Sequence, residues 1–408
     1  GQGSARQFRV VTGYSNMGVA GVADQSSFFS SETASTQFGG INGFRRPAKI
    51  SYATSSATVA YTEQGISDSV SWKASYEAQG YQDLRQLSHT ALLRSHMTAE
   101  EKNILFGRGV TANGYTGPIA APAGVTAVAA AGGSLAAGTV YVKVTARSGS
   151  GESVPSAEVN VAVTANQQVT VTVGTEPAGA LGYNIYASSS SGTEVFQGSA
   201  QGNTFVIKSL LTGTAAAPTV DSSANPAAFD GLLTVESTAG GYVTRLNGNL
   251  STASPSTEFQ SAFLALWNAV RADPDTIWIY AAGRMALADA LKTSTSTGYR
   301  LAVQSDDTGG HQVGTLVTAV QNEVTGKMVD LRVHPFIPAG VAFIHSEQLP
   351  DVIPDTNISS TSQIVNVQDY MAIDWPVAQM TYDVSTYQLG TLVHYAPAWS
   401  GVILGITN

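Results

Sequence analysis

The chain has no cysteine. That single absence excludes disulfides, thiolate metal sites and thiol nucleophiles, so stability must come from packing and association. Charge is scarce as well: Asp, Glu, Lys and Arg supply 12% of the 408 residues, about half the usual share. The surface is therefore expected to be covered by Ser, Thr, Asn, Gln and Gly. Such a surface suits secreted and virion proteins, and chains whose faces are buried against copies of themselves. No apolar run approaches the roughly 18 residues that span a bilayer. The net charge of −9 argues against a surface that tracks nucleic acid throughout, and leaves room for a local basic face. The opening residues, Gly1 to Arg6, are neither an initiator Met nor a signal peptide, so a processed start is expected.

Tryptophan is missing from one long stretch: all five lie outside the region between Thr111 and Phe229. That region alternates as strands do. Val140, Val142, Val144 and Ala146 are followed by Val159, Val161 and Val163, then by Val169, Val171 and Val173, with shorter strands at 182–186, 194–196 and 204–207. Turns are expected at 188–192 and 201–203. The pattern predicts an all-β sandwich over 118–222, inserted into a larger α+β host.

The host reads differently. Residues 1–30 are rich in Gly and Ser and predict an extended arm. In the first fifty residues Arg6, Arg9, Arg45, Arg46 and Lys49 face only Asp24 and Glu32, as an arm lying on an acidic neighbour would require. Alternation from Lys49 to Tyr76 predicts a long hairpin turning at Thr62 to Gly65, with too little to bury on its own. Arg6, Arg9, Arg45 and Arg46, with Glu63 and Trp72 on that hairpin, are the candidate assembly contacts.

Leu84, Leu87, Ala91 and Leu92 mark an apolar stripe on a helix over 82–97, and Thr98 to Glu101 reads as a capping box opening a second, short helix that ends at Gly107. Ser256 to Glu258 leads into a helix carrying Phe259, Phe263, Leu266, Trp267 and Val270. A buried strand follows at 276–280, a helix at 283–291, then strands at 329–333, 341–344 and 380–384. Signatures of catalysis were sought without result: there is no G-x-S-x-G, phosphate loop, H-E-x-x-H or dinucleotide fingerprint. His89 and His96 lack a third ligand, and Asp306, Asp307 and His311 surround a Gly-Gly pair that predicts a loop. No enzyme activity and no cofactor are expected.

The order of host parts resembles the major capsid protein of tailed bacteriophages, the Hong Kong 97 type fold. The motifs are Glu100-Glu101-Lys102-Asn103-Ile104-Leu105-Phe106-Gly107, Phe229 to Leu233 (F-D-G-L-L), and Ala396 to Ile403 (A-P-x-W-S-G-V-I). The resemblance implies an N-terminal arm (1–30), an extended loop and spine helix (31–117), and peripheral and axial domains (223–408). The insert at 118–222 resembles immunoglobulin or fibronectin type III modules, through Ala146 to Ser156 and Gly182 to Tyr186. Implied with the family are hexamers and pentamers in an icosahedral shell around double-stranded DNA. Also implied are a portal, a scaffolding segment and maturation protease, possible decoration proteins, a place in the virion after assembly in host cytoplasm, and no membrane. Some relatives join subunits through a lysine at the loop tip. Residues 55–68 contain none, with Lys49 and Lys73 toward the base, so noncovalent shells are expected. An encapsulin-like compartment, and a secreted adhesin or carbohydrate-binding protein built on the sandwich, are the alternatives.

Overall fold

The computed structural model describes residues 5–11, 17–18, 51–52, 55–110, 117–250, 256–293, 317–349, 360–377 and 379–407. Arg45, Arg46, Lys49, Asp306, Asp307 and His311 lie outside them.

Strands β1 (Ala5–Val10), β2 (Met17–Gly18), β3 (Ser51–Tyr52) and β4 (Ser55–Ala60) form antiparallel pairs, β1 with β4 and β2 with β3. β5 (Thr62–Ser71) follows β4 after one residue and pairs elsewhere. The hairpin expected at 49–76 is therefore corrected: the ladder joins 5–18 to 51–60, and Thr62 to Gly65 is strand, not turn. Gly65 is there for a close approach, since a Cβ would sit 2.7 Å from the Tyr387 ring. Residues 55–60 and 62–71 are strands, so 55–68 is not the tip of a hairpin.

Helix α1 (Trp72–Glu77) and the 23-residue α2 (Leu84–Phe106) come next. Asp83 caps α2 by accepting from Arg85 N and Gln86 N. The helix runs unbroken through Thr98, whose hydroxyl bonds back to Arg94 O at 2.8 Å instead of opening a new helix. Gly107 ends it where a Cβ would lie 2.5 Å from Phe229 O.

Residues 123–207 form two facing sheets. β6 (Ala123–Leu135), β9 (Gln167–Thr175) and β12 (Thr204–Ile207) make one, in the order β12-β9-β6. β7 (Gly138–Arg147), β8 (Val159–Val163), β10 (Gly182–Ser188) and β11 (Val195–Ala200) make the other, ordered β11-β10-β7-β8. Val140, Val142, Val144, Val169, Val171 and Ile185 interleave between them as one buried cluster. The first strand, β6, and the second, β7, lie in different sheets, whereas a constant-type immunoglobulin domain keeps its first two strands side by side. Both ends of this unit meet the host at one place. Asn225 N donates to Arg108 O at 2.8 Å, Ile119 N to Ser223 Oγ at 2.8 Å, and the Arg108 guanidinium to Gly117 O.

The F-D-G-L-L segment continues into a helix, α3 (Leu232–Ala239). β13 (Tyr242–Gly248), α4 (Thr257–Val270), β14 (Thr276–Ile279), α5 (Ala281–Thr293), β15 (Ala319–Gln321), β16 (Met328–Val333) and β17 (Ala342–His345) follow. β18 (Ser362–Asp374), β19 (Thr381–His394) and β20 (Gly401–Ile406) complete the chain. One mixed sheet runs β13-β20-β17-β14-β16-β15. Phe259, Phe263 and Leu266 of α4 share its core with Ile277, Ile279, Phe343 and Trp399. A separate three-stranded sheet is ordered β18-β19-β5.

Candidate assembly surface

The three-stranded sheet and α2 meet through polar groups. Ser88 Oγ donates to Asp68 Oδ2 at 2.5 Å, His96 Nδ1 lies 3.0 Å from Thr386 Oγ1, and Gln388 Nε2 donates to Glu100 Oε1 at 2.6 Å. Tyr370 also donates to Glu100, and Arg85 stacks on Tyr382 at 4.5 Å. Burial holds the His96 ring below its usual pKa, with Glu100 opposing. Tyr370 is pushed up by burial and by the Glu100 carboxylate. Gln64 Oε1, His96 Nε2 and Gln388 Oε1 are buried and find no partner among the described residues. Each such group costs about 1–3 kcal/mol, so this interface holds the lobe together weakly.

Leu92, Val384, Leu392 and Val393 are buried in the lobe, but many of its apolar residues face outward. Only Ser88, Leu92 and His96 of α2 are buried, four residues apart, and the stripe of Leu84, Leu87 and Ala91 borders an open groove of about 490 Å³ against β5. Leu87, Leu93 and Met97 on α2, Trp72 and Tyr76 on α1, and Tyr81 between them are exposed. So are Ile364, Val367, Met371, Trp375, Val377 and Met380 on β18 and the connection to β19. These twelve are about half of the 23 exposed large hydrophobic residues among the described residues, drawn from two short segments, 72–97 and 364–380. Isolated exposed hydrophobics are ordinary, and a concentration of this kind marks a contact surface.

The backbone at this end is also strained. Gln379 and Met380 are both left-handed, with φ of 54° and 60°. Each costs about 1 kcal/mol for a residue with a Cβ. The Met380 carbonyl accepts from Trp72 N at 2.8 Å, which ties the turn to α1, and Trp72 packs edge-on to Tyr76 at 4.6 Å.

The sequence-based contact residues are divided by the structure. Trp72 belongs to this surface, 40% exposed. Glu63 is exposed on β5 opposite Leu389, at the other end of the same strand. Arg6 and Arg9 lie on β1, opposite Val59 and Ser56, with Arg6 half-buried and Arg9 exposed. Phe8, Val10 and Val59 of that ladder pack on Val393 and Tyr395, which binds the arm to the far end of β19. The sequence reading does not single out Trp375 or Met380, whose exposure and left-handed turn only the structure shows.

Among the described residues no three His, Asp or Glu side chains converge on a metal position. His89 pairs with Asp374 at 3.3 Å, away from His96. Where β17, β19 and the α3 region meet, burial lowers both His394, which contacts Asp230 O at 3.2 Å, and His345 to about 4. Glu236 is fully buried and its carboxyl is raised well above the usual range by desolvation alone.

No protein-family model matches the chain, and no curated protein matches it. Among solved structures it is similar to the capsid of a native GTA particle, at 8% identity over 100% of this chain and 86% of that one, with a TM-score of 0.41. It is also similar to the mature capsid of bacteriophage PhiM1, at 9% identity over 99% and 82%, TM-score 0.37. The SrpI encapsulin complex of Synechococcus elongatus aligns at 11% identity and TM-score 0.28 over 44% of this chain, which spans 57% of the encapsulin's length. Scores of 0.41 and below at such identities describe a loose likeness and carry no functional inference.

Proposed function

We propose that this chain is the shell-forming subunit of a tailed-bacteriophage capsid, a structural protein that tiles hexamers and pentamers around double-stranded DNA. The observation that carries the reading is the lobe of α1, α2, β5, β18 and β19, with its polar, incompletely satisfied interior and twelve exposed apolar side chains. A protein built to work alone would turn that face inward. A subunit buries it against a copy of itself. The order of parts in the sequence adds to this: an arm before a 23-residue helix, a mixed domain after it, and a low-charge surface throughout.

In this reading 1–30 is the arm, 31–117 the extended loop and spine helix, and 223–408 the peripheral and axial domains. Residues 118–222 are an immunoglobulin-like insert on the outside. Portal, scaffolding segment, maturation protease and decoration proteins would be its partners, and the virion its location.

Electron microscopy of the purified protein tests the proposal, and closed shells or ring-shaped capsomers are expected. Trp72→Ala with Trp375→Ala should leave a folded subunit that no longer assembles. A stable monomer at high concentration, with amides of 62–71 and 362–374 fully protected from hydrogen exchange, would overturn the reading.

A further inference from the structure

A protein crowded among its own copies has to close, shorten or charge the edges of its sheets. Most edges here obey, and β8, an uncharged edge of the facing sheet, is only five residues long. β15 and β12 are three and four residues long. β11 is met by the segment 214–217, through Phe196 N to Ala215 O at 2.8 Å and Ala217 N to Glu194 O at 3.2 Å. β5 carries Glu63 and Asp68, and β18 carries Asp369, Asp374 and two register shifts. β13 carries Arg245, whose guanidinium donates to Pro177 O and Ala180 O.

β6 is different. Its 13 residues, AGVTAVAAAGGSL, contain no charge and no proline, and the ladder to β9 shifts only at the far end, between Ala131 and Leu135. Among the described residues, no backbone group outside β9 bonds to 123–131. The outward face beside this edge is equally uncharged. Thr126, Thr172 and Thr204 stand in register across the three strands, with Val128, Thr170 and Val206 as the next row. Val128 is 61% exposed. Neither β9 nor β12 contributes a charge.

We propose that β6 is a self-pairing edge, to which a second copy of this chain adds its own β6 in antiparallel register, so that neighbouring sandwiches join into one continuous sheet. The occupant follows from charge. Two copies carrying a net charge of −9 each repel over most of their surfaces, and this edge is where they can meet with no like charges opposed. A charged peptide would find no countercharge on any of the three strands. Antiparallel pairing of a strand with itself is two-fold symmetric, so both copies use the same surface and the contact closes after two. The ladder also gives partners to the row of backbone groups that β6 presents to solvent.

The absence of cysteine makes the test clean, because each full-length single-cysteine variant carries one thiol. Thr126→Cys, Val128→Cys and Ala130→Cys all point outward. If the two-fold axis passes through one of them, it faces its own copy with Cβ atoms about 4.5–5.5 Å apart, near enough for a disulfide after slight adjustment. If the axis passes through Ala127 or Ala129, two neighbouring variants face each other, so each is oxidised alone and mixed with its neighbour. Under mild oxidation at least one of the three, alone or mixed, is expected to give a disulfide-linked dimer. Val220→Cys, 73% exposed on the same sandwich, should stay monomeric on a denaturing gel. Adding Val128→Lys to the reactive neighbour should cut the yield at least fivefold. Failure of all three, alone and mixed, to link above the Val220→Cys control, or linking that Val128→Lys leaves unchanged, overturns the proposal. Shells that form while none of the three links would sink the β6 contact and leave the capsid reading standing. Linked dimers from a chain that never forms shells would support the contact and count against the capsid.

Discussion

The inserted sandwich and the lobe of β5, β18, β19 and α2 are both built on three- and four-stranded sheets, yet they bury opposite things. The sandwich turns most of its valines inward: Val142, Val144 and Val169 are wholly inaccessible, and the outward rows beside β6 are Thr126, Thr172 and Thr204, then Val128, Thr170 and Val206. The lobe turns Gln64, Ser88, His96 and Gln388 inward and leaves Leu87, Trp375 and Met380 outside. A unit that closes its own core is stable before it meets a partner. A unit that does not has its apolar area in reserve for one.

The sharpest way to break that comparison is a charge in each place. Val142→Asp puts an unpaired carboxylate at a site with no exposure, and should cost more than about 4 kcal/mol. Limited proteolysis is expected to open 117–225 first. Leu87→Asp, at a site 46% exposed, should change the stability of the isolated subunit by less than about 0.5 kcal/mol while abolishing association. Equal destabilisation by the two would erase the distinction between the regions.

Acid should act on the joint between the lobe and the six-stranded sheet. His394 has a pKa of about 4 in the fold against 6.5 unfolded, so the fold keeps it neutral. Its stabilising share is whole above pH 6.5 and is lost as pH falls toward 4, on the order of 3 kcal/mol. The groups around it are His345, itself held neutral to about 4, and the Asp230 carbonyl. Thermal melts from pH 7 to 4.5 should fall steeply, and His394→Gln should flatten the slope. An unchanged slope would remove His394 from the account.

A smaller effect is expected where the sandwich docks on its host. Arg245 pairs with Glu176 at 3.2 Å, both about 15% exposed, and Asn247 Nδ2 donates to Glu176 Oε1 at 2.7 Å. Arg245→Ala leaves that carboxylate short of a partner and should cost about 2–3 kcal/mol. Faster hydrogen exchange at 176–181, with the sandwich core unaffected, is the expected signature. Smallest of all, Met380→Gly should relieve a left-handed residue and raise subunit stability by about 0.5–1 kcal/mol. A loss would show that the methionine side chain stabilises the subunit itself.

Much of the sandwich was legible because its signal is local. Strands at 140–146, 159–163 and 169–173 alternate with period two, and these and the short run at 182–186 fold as strands. β6 was not legible: a run of Ala and Gly has little strand propensity and is held by β9. The helix at 257–270 was readable from Phe259, Phe263 and Leu266, which pack as their spacing predicts. On α2 the same logic was half right: Leu92 of the apolar stripe is buried, while Leu87 and Ala91 are exposed. Arg6, Glu63 and Trp72 were separable only in space, because charge and size say nothing of which end of a sheet a residue occupies.

By itself the sequence determined the periodic elements, the division into a charge-poor β region without tryptophan and a tryptophan-bearing host, and the exclusion of cysteine chemistry. Each of these depends on neighbours within a few residues, or on composition alone. Tertiary structure decided which strand pairs with which: β4 with β1, β5 with β19, and the left-handed turn that presents Met380. Backbone hydrogen bonds are alike at every residue, so an extended segment carries no mark of its partner. That choice is made by the surfaces that come to rest beside it, more than three hundred positions away in the case of Thr62 and Gly390.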